Sequence, residues 1–178
     1  MTMEDFDYTF AGLPLHVLLV HVVLVATPLV ALALVLIAAW PAARRVLWLP
    51  LLLAAAVLLP LGLFTIEAGK WLEQRVPPAP LIQEHTAQGE NIVPWLITLL
   101  VLGGVIAAWA VVELPVARRT TQPERVVPGR GIRIAVGALL TVAAIAVAAG
   151  STWTLVQIGE AGSRAVWEGS FSDEPLER

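Results

Sequence analysis

Two histidines and two glutamates occupy matching places in this chain, and together they have the side chains of a metal or haem site. His16 and His85 each precede an Arg-Arg pair, and Glu67 and Glu160 each begin the tripeptide Glu-Ala-Gly. Neutral imidazole with carboxylate suits zinc, iron, copper or manganese. Alternatively, the two histidines are candidates for the axial ligands of one b-type haem, with the glutamates handling protons or propionates. A proton or quinone site without a cofactor is the third interpretation.

Two further residues are additional candidates for the same site. His21 follows His16 by five positions, which rotates its side chain about 140° away from that of His16 on a helix. His21 and His16 therefore cannot both point at one centre. Glu90 lies near His85 in the sequence and is the second additional candidate.

Two short patterns occur twice and in the same order. The first is Pro41–Arg45, repeated at Pro115–Arg119, and the second is Glu67–Gly69, repeated at Glu160–Gly162. The chain is therefore interpreted as two copies of one helical hairpin. Such a duplication predicts a pseudo-twofold axis that brings two imidazoles and two carboxylates to one place.

A purely structural interpretation is open for each polar residue. Glu160 and Arg164 have the i,i+4 spacing of a surface ion pair, and Glu67 has Lys70 nearby. His16 is also placed to cap the start of a helix.

The composition predicts an all-α integral membrane four-helix bundle. Of the residues, 58% are apolar and 14% charged, whereas a soluble domain is about 45–50% apolar and about 25% charged. Each of four apolar stretches reaches the roughly 20 residues that cross a bilayer as a helix. They are Leu13–Ala39, Val46–Ile66, Ile92–Val112 and Ile132–Ile158.

One membrane domain accounts for the whole chain, residues 1–178. Residues 1–12 are an acidic outer N-terminus, 13–75 the first hairpin, 80–168 the second and 169–178 a mobile tail. Helices two and three are expected to extend past the outer membrane face and to meet at the turn Val76–Pro80. On that geometry the heights of Glu67 and His85 differ by only about 6 Å.

Charge segregation predicts the orientation. Basic residues cluster between spans one and two and between spans three and four, while the termini and the central connection are mainly acidic. The positive-inside rule then places both termini outside a bacterial inner membrane. The lipid bilayer is one expected partner and a membrane or periplasmic redox protein another, with homo-oligomerisation left open. Nucleic acid is not expected, because the arginines are few and adjoin membrane helices.

The sequence lacks the signatures of several established chemistries. There is no cysteine, which excludes disulfides, iron–sulfur clusters and covalently attached haem. No H-E-x-x-H, P-loop, G-x-S-x-G or G-x-G-x-x-G motif is present. Whether the chain is an enzyme is left open.

The chain resembles a family at both ends. Residues 12–21, GLPLHVLLVH, are similar to the opening L-P-L-H-P-x-x-V-H of the bacterial membrane proteins grouped as domain of unknown function 2231. Residues 158–167 are similar to a second pattern of those proteins, G-H-x-G-A-x-x-V-W. The resemblance covers about residues 11–168. It implies four helices and electron transfer at the membrane. His16 and His21 match the family's first histidines, whereas Glu160 stands where many relatives have His and Val17 where they have Pro.

The resulting hypothesis is a membrane protein with an outward-facing site of His16, His85, Glu67 and Glu160. That site binds a transition metal ion or haem b, in membrane redox or metal handling. The alternative is a non-catalytic subunit or scaffold that packs against a partner protein, with the polar residues structural.

Overall fold

The structure is a computed structural model. The model describes the backbone of residues 7–117, 128–172 and 174–175, and the side chains of the same residues except 114–117. The predicted second copy of the Arg-Arg motif, Pro115–Arg119, and much of the connection before Arg130 therefore lie outside the described side chains. So do parts of the predicted N-terminus and of the predicted mobile tail.

Long helices form nearly all of the described chain. A two-stranded antiparallel hairpin, β1 (Thr9–Phe10) and β2 (Leu13–Pro14), precedes them. The helices are α1 (Leu15–Ala39), α2 (Pro41–Glu73), α3 (Pro80–Gly89), α4 (Val93–Ala117) and α5 (Arg130–Trp167), with a 3₁₀ turn (Glu90–Ile92) joining α3 to α4. The predicted all-α class is confirmed, with the short β-hairpin as an addition.

Prolines define several helix boundaries. Pro41 and Pro80 are the first residues of α2 and α3, a position where the missing N–H of proline costs no hydrogen bond. One extended residue, Trp40, separates α1 from α2. The second span was predicted to begin at Val46, but α2 begins five residues earlier, at Pro41, and residues 41–45 form its first turn.

Small residues allow the helices to approach closely. α1 packs against α2 and α5, and α4 packs against the same two helices. The Trp95 ring of α4 lies against Gly150 of α5, and Leu96 lies against Gly62 of α2, so closely that a Cβ at either glycine would clash. Such contacts are how helices associate in lipid, where no hydrophobic effect drives them together.

The outer surfaces of these helices are strongly apolar. Leu32, Val57 and Leu139 are each more than 60% exposed. Four helical segments are long and apolar enough to cross a membrane: Leu15–Ala39, Pro41–Glu73, Pro80–Glu113 and Arg130–Trp167. The chain therefore has the form of a multi-pass membrane protein.

The bundle has two chemically different ends. We call the end that contains the first turn of α1, the last turns of α2 and α5, and all of α3 the His end. The β-hairpin lies there, and the buried Tyr8 ring packs on the rings of Phe64 and Trp71. The opposite end, with the first turns of α2 and Glu113 of α4, is called the Arg end.

Candidate functional site

The imidazole rings of His16 and His85 lie next to each other at the His end. Their centroids are 6.1 Å apart and their planes are inclined by 70°. His16 is in the first turn of α1 and His85 is in the middle of α3, 69 residues later in the chain. The structure thus brings together the two histidines that the repeat had singled out.

The ring of His16 is anchored on α2. Its Nδ1 lies 3.0 Å from the carbonyl oxygen of Thr65. One turn later, Gly69 leaves the space that the ring needs: a Cβ there would lie 2.9 Å from Nδ1 and 3.0 Å from Cε1 of His16. Because glycine has no side chain at this position, the imidazole can reach the side of the Thr65 carbonyl oxygen. The second lone pair of that oxygen remains free to accept from the ring.

The ring of His85 is anchored on α5 in the same way. Its Nδ1 lies 3.2 Å from the carbonyl oxygen of Ile158. Gly162 follows one turn later, and a Cβ there would lie 2.9 Å from Cε1 and 3.2 Å from Nδ1 of His85. Both anchors thus consist of a carbonyl at position i and a glycine at i+4.

The two anchors fix the same tautomer in both rings. A carbonyl oxygen can only accept, so Nδ1 of each imidazole must carry the proton and donate it. In the neutral form of each ring, the lone pair of Nε2 is then available to a ligand. Neither Nε2 has a hydrogen bond within the described part of the chain. A backbone carbonyl is one of the groups that commonly accept from the second ring nitrogen of a histidine that binds metal.

The two glutamates point away from the rings for a geometric reason. Two residues along an α-helix correspond to a rotation of about 200°. Since Thr65 and Gly69 face His16, Glu67, which lies midway between them, must lie on the opposite face of α2. The same rotation places Glu160 away from His85, because Ile158 and Gly162 face that ring.

Both glutamates instead form exposed ion pairs. Glu67 accepts from Lys70 at 3.1 Å, and Lys70 also bonds Glu90 at 2.7 Å. Glu160 accepts from Arg164 at 2.7 Å, and both side chains are 60% exposed. These are the surface pairs that the spacing in the sequence allowed. Exposed pairs of this kind contribute little to stability.

The third histidine is separate from the pair. His21 is exposed on α1, and its Nδ1 lies 2.7 Å from the carbonyl oxygen of Val17 in its own helix. This agrees with the predicted divergence of the His16 and His21 side chains.

The pair has no third protein ligand in the described region. Across residues 7–117, 128–172 and 174–175, no three His, Cys, Asp or Glu side chains are grouped so as to hold a metal ion. The site geometry is therefore two imidazoles without the carboxylates that the sequence had suggested.

A buried ion pair lies at the Arg end. The Arg44 side chain is 1% exposed; its Nε donates to Glu113 at 3.0 Å, and its Nη1 donates to the carbonyl oxygens of Ile37 and Ala38. The guanidinium thereby satisfies carbonyls at the last turn of α1, which have no partner within that helix. It also joins α1, α2 and α4.

Sequence reasoning missed the glycines and the buried pair. A glycine inside a helix costs about 1 kcal/mol relative to alanine, so a repeated one needs a packing reason. Gly69 and Gly162 carried that signal as the third residue of the repeated tripeptide. Glu113 was an acidic residue at the end of an apolar stretch, which indicates a buried partner.

Comparisons with known proteins return no relative. No family model matches the chain, no curated protein matches it, and no solved structure matches it. The geometry of the two rings is therefore the basis for assigning a function.

Proposed function

We propose that this membrane protein binds a transition metal centre, either an ion or a haem iron, between His16 and His85, and that the centre serves membrane redox chemistry or metal handling. The observation that carries the proposal is the matched anchoring of both rings. Each donates Nδ1–H to a backbone carbonyl beside a glycine, and each leaves Nε2 as a lone-pair donor.

The anchoring of both rings exceeds what a purely structural contact needs. A histidine used only for packing needs neither a fixed tautomer nor a facing glycine, and a glycine costs helix stability. Here both features occur twice, on different helix pairs. The arrangement keeps the lone pairs oriented before any ligand arrives, which lowers the cost of binding.

The proposal includes an orientation in the membrane. The two hairpins are proposed to be pseudo-symmetric copies, with α2 and α3 extending beyond the bilayer. The arginines near the Arg end favour its placement on the cytoplasmic side of a bacterial inner membrane. The His end and both termini then face outward, where a membrane or periplasmic redox protein could reach the rings.

A scaffold role is the second candidate. The ring centroids have a spacing typical of aromatic pairs, about 4.5–7 Å, and an edge-to-face tilt is a favourable packing geometry. Both Nδ1 atoms are already satisfied by carbonyls, and the glutamates are in surface ion pairs. On this view, the polar residues hold helices together beside a partner protein.

Metal content distinguishes the two candidates. We would purify the full chain from membranes in detergent and measure iron, copper, zinc and manganese by elemental analysis, together with the absorption spectrum. The wild type is expected to carry one metal centre, which His16→Ala and His85→Ala each lose. His21→Ala is the matched control, since its ring bonds only within α1. Equal metal content in wild type and both variants would overturn the proposal.

A further inference from the structure

The β-hairpin before α1 carries an exposed apolar tip, residues 10–13. Its antiparallel register pairs Phe10 with Leu13, and the side chains of directly paired residues lie on the same face of a hairpin. Phe10 is 66% exposed and Leu13 is 55% exposed. The sequence from Tyr8 to Leu15 contains no Asp, Glu, Lys or Arg. The tip therefore presents two large apolar side chains and no charge.

The turn at this tip is also apolar, at a cost in backbone strain. Ala11 and Gly12 both have positive φ angles, 51° and 78°, as the commonest two-residue turns of β-hairpins require. Asparagine and aspartate adopt positive φ more readily than alanine, because their side chains bond locally to the backbone. Alanine at position 11 is therefore strained, but it adds no polar group to the tip. That combination suits a turn that contacts lipid rather than water.

The base of the hairpin is fixed against α1 and α2. The backbone N–H of Leu15 donates to the carbonyl oxygen of Tyr8 at 2.8 Å. The centroid of the buried Tyr8 ring lies 5.2 Å from that of Phe64 and 6.1 Å from that of Trp71. The position of the tip relative to the helices is therefore set by a packed base.

This base lies where the exposed apolar surface of the helices ends. Leu63, one residue before Phe64, is exposed on α2, and Val17 is exposed in the first turn of α1. The part of α2 from Val46 to Leu63 is about 26 Å long, which is close to the roughly 30 Å of bilayer hydrocarbon. The hairpin therefore begins at the edge of the hydrocarbon, and its apolar tip continues the lipid-facing surface of the helices.

From these observations we infer that residues 10–13 insert into the lipid surface at the His end and fasten the start of α1 to the bilayer. Amphipathic segments bind membranes in this way, with their apolar face buried at the boundary between headgroups and acyl chains. A lipid surface is favoured over a protein partner because the tip is continuous with the lipid-facing helices and lacks the polar rim of a protein interface. The inference is independent of the proposed metal centre.

Spin labels on the cysteine-free chain test the inference. The labelled full chain is reconstituted in phosphatidylcholine vesicles, and power saturation compares collisions with oxygen, which concentrates in lipid, and with a water-soluble nickel chelate. Leu13→Cys is the reporter. Leu32→Cys, exposed within α1, is the lipid reference, and Gln74→Cys, exposed at the end of α2, is the water reference. We expect the ratio of oxygen to nickel accessibility at position 13 to be closer to the lipid reference.

A second substitution tests whether Phe10 holds the tip in the membrane. Adding Phe10→Asp to Leu13→Cys should move the ratio to that of the water reference. Thr9→Asp is the matched control, because the next residue of a strand points to the opposite face, and it should leave the ratio unchanged. Circular dichroism checks that the helices of each variant are intact.

Three results would overturn the inference. They are a ratio at position 13 equal to the water reference, equal effects of Phe10→Asp and Thr9→Asp, and a label shielded from both reagents, which would place protein on the tip. None of these measurements depends on metal content, so their failure would leave the metal-binding proposal standing.

Discussion

Replacing Gly162 by alanine should displace the His85 ring from its position against α5. The size of this displacement follows from the contact distances. The new Cβ would lie 2.9 Å from Cε1 of His85, whereas non-bonded carbon atoms prefer about 3.5–4.0 Å. The ring must therefore retreat by about 0.6 Å or more. Its hydrogen bond to Ile158, already 3.2 Å long, would then exceed the limit for such a bond.

The expected change in the free energy of unfolding combines three effects. Overpacking costs about 1–3 kcal/mol, and loss of the hydrogen bond costs about 0.5–1.5 kcal/mol. Alanine recovers about 1 kcal/mol because it is the better helix former. Gly162→Ala should therefore destabilise the protein by about 0.5–3.5 kcal/mol.

Gly159→Ala is a matched control on the same helix. A Cβ at Gly159 would meet only Cδ1 of Leu24, at 4.0 Å. This variant should be as stable as wild type or more stable by up to about 1 kcal/mol. Both variants would be unfolded reversibly in mixed detergent micelles and followed by circular dichroism.

Nitrogen-15 spectra of labelled histidine provide the second measurement. In the wild type, His16 and His85 should both show a protonated Nδ1 and an unprotonated Nε2. Gly162→Ala should abolish this pattern for His85 and leave it unchanged for His16. The reasoning is refuted if Gly162→Ala retains both wild-type stability and the Nδ1 proton of His85.

Three other perturbations test the rest of the structure. Arg44→Met should destabilise the protein by about 3–5 kcal/mol, because it leaves the Glu113 carboxylate buried and unpaired. The double variant Arg44→Met with Glu113→Leu should recover most of that stability, measured by its unfolding midpoint. Glu67→Gln should leave metal or haemin binding unchanged, since Glu67 pairs with Lys70 at the surface, and reduced binding would restore it as a ligand. In the naturally cysteine-free chain, Gln83→Cys should react with an impermeant maleimide from outside intact cells, whereas Arg130→Cys should react only after permeabilisation; the opposite pattern would invert the orientation.

The helices were predictable because their signals are local and strong. Long apolar stretches of bilayer length have few alternative structures in lipid. The helix starts were less accurate: the second span was predicted from Val46 and Pro80 was assigned to the turn, whereas Pro41 and Pro80 are the first residues of α2 and α3. Residues 41–45 were harder to assign, because two arginines resemble a polar connection. They are helical, and the Arg44 side chain reaches back from α2 to bond the last turn of α1.

The site was predictable only in part. The repeat singled out His16 and His85, and the structure places their rings side by side. It also singled out Glu67 and Glu160, but the glycine of each tripeptide is the residue that faces the imidazole. The sequence alone could not show which residue of the tripeptide points inward, since that depends on helix rotation, which is set by packing along the whole bundle.

The anchoring of the rings divides them between the two halves of the chain. His16 is fastened to α2 and His85 to α5, so each half orients its own ring and the rings meet where the halves join. A metal centre bound by both rings would link the two halves of the chain at the His end. Without that link the halves remain joined by the packing of α1 on α5 and of α2 on α4, and each imidazole remains bonded to the carbonyl of its own half.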